Sequence, residues 1–368
     1  MLNENVDKVL IVDPGKNSVK SLAFSPAYEL LGNNLFPSKS EKKRNFYDID
    51  TSSKKQYKVE IKHNGVIEKH VVGEGINNNF DFDTTKNNFH HKLCIYTSIA
   101  NYIDKPNERI HLVVGYPSSD YVNSIQRKDY EELLKSDEPI TVTINGEVKT
   151  FIINSVVVLP EGIAMKPRVL NPNRVVEVID IGGQNINYRR YDQKGNTLES
   201  FSLDKAGMNH LADEIKSKLR KFVRADMVNL DAIDYEKAIE DRRISEIDDS
   251  LLTDYANTAE FMEDTVYTFI EKSIIGQLRS HGVDITKRGN LLIFTGGGSI
   301  SLKKYFEELL TNNEGNMFFS DTAQWDNCIS YAIKDIGDRC KKLNKPVEAQ
   351  KLGQKVLKQT DIDNIAII

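Results

Sequence analysis

The sequence predicts an α/β protein built from two related domains, and three observations carry that prediction. A short apolar strand, an Asp-x-Gly turn and a second strand occur at residues 9–24 (VLIVDPGKNSVKSLAF) and again, in the same order, at residues 175–191 (VVEVIDIGGQNINYRRY). A repeat on that scale marks a duplicated structural unit. Each copy is followed by apolar strands alternating with segments of helical spacing, the pattern of mixed α/β domains. The 368 residues suffice for two domains, or three, at roughly 150 residues each.

The elements follow in order. Residues 9–12 form a short buried strand closed by Asp13-Pro14-Gly15, and residues 19–24 form its hairpin partner. Residues 37–91 are polar and rich in Lys and Asn, with weak alternation at 57–61 and 66–72, and read as a peripheral insertion. Residues 93–103 have helical spacing, and 110–114 form a buried strand ended by Gly115-Tyr116-Pro117. A polar helix spans about 122–135. Residues 140–148 carry a strand–turn–strand signal with Asn145-Gly146 at the turn, and 151–159 continue as a strand. Pro160-Glu161-Gly162 opens a helix or loop. The polar stretch 166–174, with Pro167 and Pro172, marks the main boundary.

The second half restarts with a strand at 175–179, then strands at 186–191 and 198–203. Residues 209–281 read as charged helices, with both signs interspersed as on solvated faces. A buried strand at 291–294 runs into Thr295-Gly296-Gly297-Gly298-Ser299 and a helix. Trp325-Asp326-Asn327 leads into a last helix at 328–343. The end of the chain, 361–368, is a short apolar-tipped segment that reads as a docking or frayed end.

Composition excludes several classes. With 39% hydrophobic and 28% charged residues, wholesale disorder is excluded. Fifty-four acids against 49 bases give a formal charge of −5, which excludes a strongly basic nucleic-acid binder but not a local basic patch. Cys94, Cys328 and Cys340 are too few and too scattered for a disulfide framework or a metal knuckle, and fit a reducing, cytoplasmic setting. No apolar run reaches transmembrane length, and Met1-Leu2-Asn3-Glu4-Asn5 lacks the order of a signal peptide, so no membrane partner is expected.

The turns carry the chemistry. In a tight hairpin, successive backbone N–H groups can face one concavity and bind phosphate oxygens. Gly15 allows close backbone approach, Asp13 can hold waters of a bound Mg²⁺, and Lys20 can reach a phosphate as a point charge. The second turn, Asp180-Ile181-Gly182-Gly183-Gln184-Asn185, repeats that chemistry. The three glycines at 296–298 allow a flat ring or a phosphate to lie on bare backbone at a helix start. Glu161, just after a strand, can orient or deprotonate an attacking water. Taken singly, each has a bland alternative: ordinary strand turns, a flexible loop, a surface glutamate. His90-His91 read as a solvated pair rather than metal ligands, Arg242-Arg243 and Lys341-Lys342 as exposed helix charges, and Trp325 as core.

In combination these residues resemble the actin-like ATPase superfamily, which also contains sugar kinases and 70-kDa heat-shock chaperones. The order of Asp-x-Gly turn, inter-strand Glu, second Asp-x-Gly turn and Gly-Gly-Gly loop is similar to its five-part nucleotide site. Finer features resemble plasmid-segregation actins of the ParM/StbA type. Val113-Val114-Gly115-Tyr116-Pro117-Ser118 looks like their "VGLP" segment, the stretch from Ile144-Asn145-Gly146 to Pro160-Glu161-Gly162-Ile163-Ala164 like their strand pair and "PEG-x-A" segment, and Ala323-Gln324-Trp325-Asp326-Asn327 like their "PQ-aromatic-x-N" segment.

The resemblance implies duplicated actin-like (ribonuclease H-like) domains flanking a nucleotide cleft, each with a smaller peripheral subdomain. Domain I would span 1–172, with an insertion at about 37–91 and the helix at about 328–345 returning to it. Domain II would span 173–327 with a helical subdomain at about 207–288, and 346–368 would be a tail. It implies hydrolysis of ATP (or GTP) coupled to filament assembly. Asp13 and Asp180 would organise Mg²⁺ through water. Gly15, Lys16, Asn17, Ser18 and Lys20, with Gly182, Gly183, Gln184 and Asn185, would contact phosphates. Glu161 would position water, and Gly207 with Gly296, Gly297, Gly298 and Ser299 would contact the nucleotide. Partners would be further copies in a head-to-tail filament and a DNA-binding adaptor of the ParR type, with plasmid DNA reached only indirectly. Pro14, Lys16, Gln184, Asn185 and Asn187 depart from the usual turn residues. A metabolic kinase of the same superfamily, a chaperone-like ATPase and a membrane-bound cytoskeletal protein are the rival readings.

Overall fold

A computed structural model describes residues 5–47, 53–63, 65–76, 86–162, 174–223 and 228–360. The boundary expected at 166–174 falls almost wholly outside the described residues, as do Ile163, Ala164 and the segment 361–368. The chain divides into two compact units. Unit 1 comprises Met1–Arg168 and Trp325–Ile368, and unit 2 comprises Val169–Gln324.

Unit 1 is a nine-stranded mixed sheet covered by helices. Its centre is β1 (Lys8–Pro14), antiparallel to β2 (Ser18–Phe24) and parallel to β7 (Glu108–Tyr116). β3 (Leu30–Pro37) pairs with β2, and β9 (Glu147–Pro160) runs parallel to β7. β8 (Ser136–Ile144), β5 (Gln56–His63), β6 (Val66–Gly73) and β4 (Ser40–Lys43) extend the sheet, in the order β3-β2-β1-β7-β9-β8-β5-β6-β4. The polar stretch read as an insertion thus supplies three strands of this sheet.

Every residue of β1 is buried, and alternate residues enter different cores. Leu10 and Val12 pack with α1 (Phe89–Ala100), while Val9 and Ile11 pack with α9 (Asp326–Lys342). Strands covered on both faces read as continuous apolar runs, which explains the VLIV segment. α1 starts at Asn88, whose side chain accepts from the His91 backbone N–H. Two further helices follow β7, the short α2 (Ser118–Tyr121) and α3 (Ser124–Leu134).

Beyond α9 the chain forms α10 (Pro346–Gln359), which packs back on α9 through Gly353 and Val356. The residues read as a tail therefore include a docked helix. Proline at its first turn costs no hydrogen bond and presets the backbone.

Unit 2 holds a five-stranded sheet, β12 (Thr197–Leu203), β11 (Ile186–Tyr191), β10 (Val176–Ile181), β13 (Leu291–Thr295) and β14 (Met317–Phe319), in that spatial order. β10 is antiparallel to β11 and parallel to β13, and β14 is parallel to β13. The directions repeat those of β3-β2-β1-β7-β9 strand for strand, so the sequence repeat is a repeat of topology. The helices α4 (Met208–Phe222), α5 (Tyr235–Asp241), α6 (Thr258–Phe269), α7 (Gly276–Ser280) and α8 (Gly297–Leu309) build its core, with a π-helical turn at Ile270–Ile275.

Two of the surface expectations are corrected. His91 is buried at 1% exposure and His90 is half-buried beside the Ser40 hydroxyl, because α1 turns both toward β4 and the core. Arg242 is not a loose helix charge. It caps α5 in the left-handed region at φ 56°, is paired with Glu263 and Glu308, and lies over the Tyr305 ring. Trp325 is half-buried and packs against the α9 core.

Candidate functional site

Each unit places an aspartate at the carboxyl end of a parallel strand. In unit 1, Asp13 stands one residue before the end of β1 and is 3% exposed. Hairpin register puts Lys20 directly across from it, with Nζ 3.7 Å from Oδ2. Asn327, at the start of α9, donates to the same oxygen at 3.5 Å. Gly15 sits in the turn where a Cβ would stand 2.8 Å from the Ser18 carbonyl oxygen, so the turn admits no side chain there. Lys16, Asn17 and Ser18 complete the turn, and the Asn17 carbonyl accepts from the Ser38 N–H at 2.9 Å, which fixes the turn to the end of β3.

Glu161 follows β9 directly. Its backbone N–H donates to the Tyr116 carbonyl at 2.8 Å, and its carbonyl accepts from the Ser118 hydroxyl. Its carboxylate is ion-paired with the ammonium of Lys86, a residue 1% exposed. Of the segment read as opening a helix or loop, Pro160 ends β9 and Glu161-Gly162 form a turn held to β7. Burial first, then the charges of Lys86 and Lys16, hold the His91 imidazole far below its ordinary pKa and neutral. Burial, with the charges of Glu161 and Asp13 among the further causes, pushes the Tyr130 hydroxyl well up, so both acids act on one buried ring.

In unit 2, Asp180 stands one residue before the end of β10 and is 4% exposed. The turn after it closes with the Gly182 N–H donating to the Asn185 carbonyl at 3.0 Å. The Gly182 and Gly183 carbonyls accept from the first amides of α4, those of Met208 and Asn209, at 3.0 and 2.8 Å. Gly207 is the N-cap of α4, and a Cβ on it would stand 2.5 Å from the Gly183 oxygen. Gln184 Oε1 and Asn209 Nδ2 are buried beside this turn with no hydrogen-bond partner among the described residues. Such orphan polar atoms call for a polar ligand or water.

The triple-glycine stretch is not one loop. Gly296 is the N-cap of α8, at φ 80°, and Gly297 and Gly298 form the first turn of that helix. A Cβ on Gly298 would meet Met208 and Ile181 at 2.5 and 2.6 Å, so α8 lies close against α4 and β10. Ser299 is buried, its hydroxyl donating to the Gly296 carbonyl at 2.8 Å.

The structure therefore gathers Asp13, Gly15, Lys20 and Asn327 around one turn, and Asp180, the 182–185 turn, Gly207 and Gly296 around another. Lys86 escaped the sequence reading, and His91, read there as solvated, is buried. Lys86 lies 75 positions before Glu161 in a polar stretch, and nothing local marks it. Asn327 was visible only as part of the Trp325-Asp326-Asn327 segment.

Residues 12–163 match the family model described as the N-terminal domain of actin-like proteins. A ParM filament structure from Clostridium botulinum superposes with TM-score 0.63 at 16% identity, over 89% of this chain and 98% of that one. The chain has the actin-like fold. An archaeal actin homolog, Ta0583, solved in complex with ADP, gives TM-score 0.63 at 18% identity over 90% and 99% of the two chains. The actin-like protein Alp7A gives 0.64 at 14% over 96% and 98%. No curated protein sequence matches this one. The actin-like fold accounts for the duplicated sheets. Among the described residues no helix is long and apolar enough to cross a membrane.

Proposed function

We propose that this actin-like protein hydrolyses ATP or GTP with Mg²⁺, assembles head to tail into filaments, and moves plasmid DNA through a DNA-binding adaptor of the ParR type. The observation that carries the proposal is one device present in both units. It is a nearly fully buried aspartate one residue from the end of a parallel strand, beside a turn whose glycine is packed tightly against the turn's own backbone. Ligands of open α/β sheets bind at the carboxyl ends of such strands. The ADP complex of Ta0583 and the filament structure of ParM support the nucleotide and the filament by likeness of fold.

The donor set fits a nucleotide with its cation. Asp13 and Asp180 are oxygen donors of the kind that hold the waters of Mg²⁺. Gly15, Gly207 and Gly296 are packed so tightly against neighbouring backbone that no Cβ fits, which fixes the shape of the turns whose amides would face the phosphates. Mg²⁺, when bound, neutralises charge on the phosphates. The chain does the rest. The amides of residues 15–18 and 182–185 receive phosphate oxygens, and Lys20 adds a point charge. Gly296 to Ser299 present bare backbone to the nucleoside. Glu161 orients a water whose oxygen bonds to the terminal phosphorus as the bond to the leaving diphosphate breaks, the water proton passing to the carboxylate or the released phosphate.

Light scattering tests this reading with wild type and Glu161→Ala at tens of micromolar, about the range where weak contacts assemble. Scattering should rise with Mg-ATP or Mg-GTP and decay as phosphate is released, and the variant's scattering should persist. No rise with either triphosphate overturns the filament, and no phosphate release overturns the hydrolysis. Pelleting of a candidate adaptor with the filaments tests the partner.

A further inference from the structure

We infer that Lys86 is the positioning residue for Glu161, fixing the carboxylate that orients the attacking water. The inference rests on the hydrolytic reading above and names a residue that reading does not use.

Both ends of the contact are held. The Glu161 backbone is tied by its N–H to Tyr116 and by its carbonyl to the Ser118 hydroxyl, so only its side chain remains to be placed. Lys86 stands two residues before Asn88, the capping residue of α1, and α1 is locked into the core through Leu93, Cys94 and Ile95. The ammonium is nearly fully buried, whereas the Glu161 side chain keeps 15% exposure. A buried ammonium without its carboxylate is costly, which holds the pair in one geometry. One ammonium occupies one of about four acceptor positions on a carboxylate, leaving capacity for a water.

The length of the contact matters because catalysis depends on placement. An ångström of misplacement in a reacting group costs about a hundredfold. Lys86→Met removes the charge and keeps the bulk. Its turnover with Mg-ATP should fall about a hundredfold, while Mg-ADP affinity by calorimetry stays within about threefold of wild type. Lys86→Arg should recover part of the turnover. In a Glu161→Gln background, Lys86→Met should change turnover less than about twofold, because the two act as one unit.

A readout without nucleotide accompanies these. Lys86→Met and Glu161→Gln should each lower the melting temperature, and the double variant, which leaves neither charge unpaired, should melt above both. That variant also keeps the test alive if a single variant folds poorly. Turnover of Lys86→Met close to that of a hydrolysing wild type overturns the role of Lys86, as do equal losses in both Glu161 backgrounds. A wild type that hydrolyses neither ATP nor GTP overturns the hydrolytic reading, and this role with it.

Discussion

Nε2 of His111 lies 3.2 Å from each carboxylate oxygen of Asp335. His111 stands on β7 and Asp335 on α9, so the contact joins the middle of the unit 1 sheet to the helix over it. The Tyr28 hydroxyl donates to the same carboxylate at 2.6 Å and Arg339 Nε at 3.1 Å. Burial pushes the Asp335 carboxyl up, but the hydrogen bond and charge of His111, the Arg339 charge and the Tyr28 hydroxyl together leave it below its ordinary value.

A carboxyl depressed in the folded state gives stability that is complete above its unfolded pKa, near 3.9. That stability is lost as pH falls through the folded value. Asp335→Asn should therefore cost roughly 3 kcal/mol at neutral pH, and the deficit should shrink below about pH 4. Urea unfolding at the two pH values checks it. A deficit independent of pH would mean the carboxylate charge is not what matters.

Gly115 stands one residue before the end of β7, where a Cβ would lie 2.6 Å from the Tyr331 hydroxyl of α9. Gly115→Ala should destabilise by about 1–3 kcal/mol through overpacking. Adding Tyr331→Phe should return part of it, a coupling of about 1 kcal/mol between touching residues. Strictly additive losses in urea unfolding would show that the clash is relieved elsewhere.

Gly296 should be irreplaceable for a local reason. Its φ is 80°, and a Cβ would stand 2.4 Å from Asp180 Oδ1 and 2.5 Å from the Ile181 oxygen. Gly296→Ala should cost about 1–3 kcal/mol and weaken Mg-ADP binding at least about tenfold by displacing the acid. Gly289→Ala, where nothing lies within 4 Å, should leave both unchanged. Calorimetry and thermal melting of the two variants compare them directly.

The three thiols should resist modification in the folded protein. All are buried, and burial pushes the Cys94 thiol up to about 12 and Cys328 higher still. A chromogenic disulfide reagent near neutral pH should label none of them until denaturant is added, and then all three. Fast labelling of one thiol without denaturant would show local opening around it.

Much of the fold was legible where a strand is buried on both faces. The 9–12 segment is apolar throughout, and 175–179 is apolar but for the buried Glu177, because helices cover both sides of β1 and the unit 2 sheet buries all of β10. β3 was missed because it is an edge strand, half-exposed, with Gly32, Asn33 and Asn34 in its middle. α10 passed for a tail because only Gly353 and Val356 are fully buried in it, a stripe too thin to stand out among its lysines. Of the site, the two aspartates and the glycines were readable, since their backbone demands leave residue types behind. Lys86, His91 and the cap made by Arg242 were not. Their roles come from partners distant in the chain, which no local pattern records.

The order of the chain bears on how the molecule is made. β1, β2 and β7 emerge first, yet the apolar face made by Val9, Ile11 and Val113 is covered by Ile329, Tyr331 and Ile336 of α9, which follow unit 2 in the sequence. During synthesis unit 2 can finish folding while unit 1 still has one bare sheet face, an aggregation-prone state. Asp13, too, receives Asn327 only then. In a nascent chain the first turn therefore stays incomplete until Asn327 has been made.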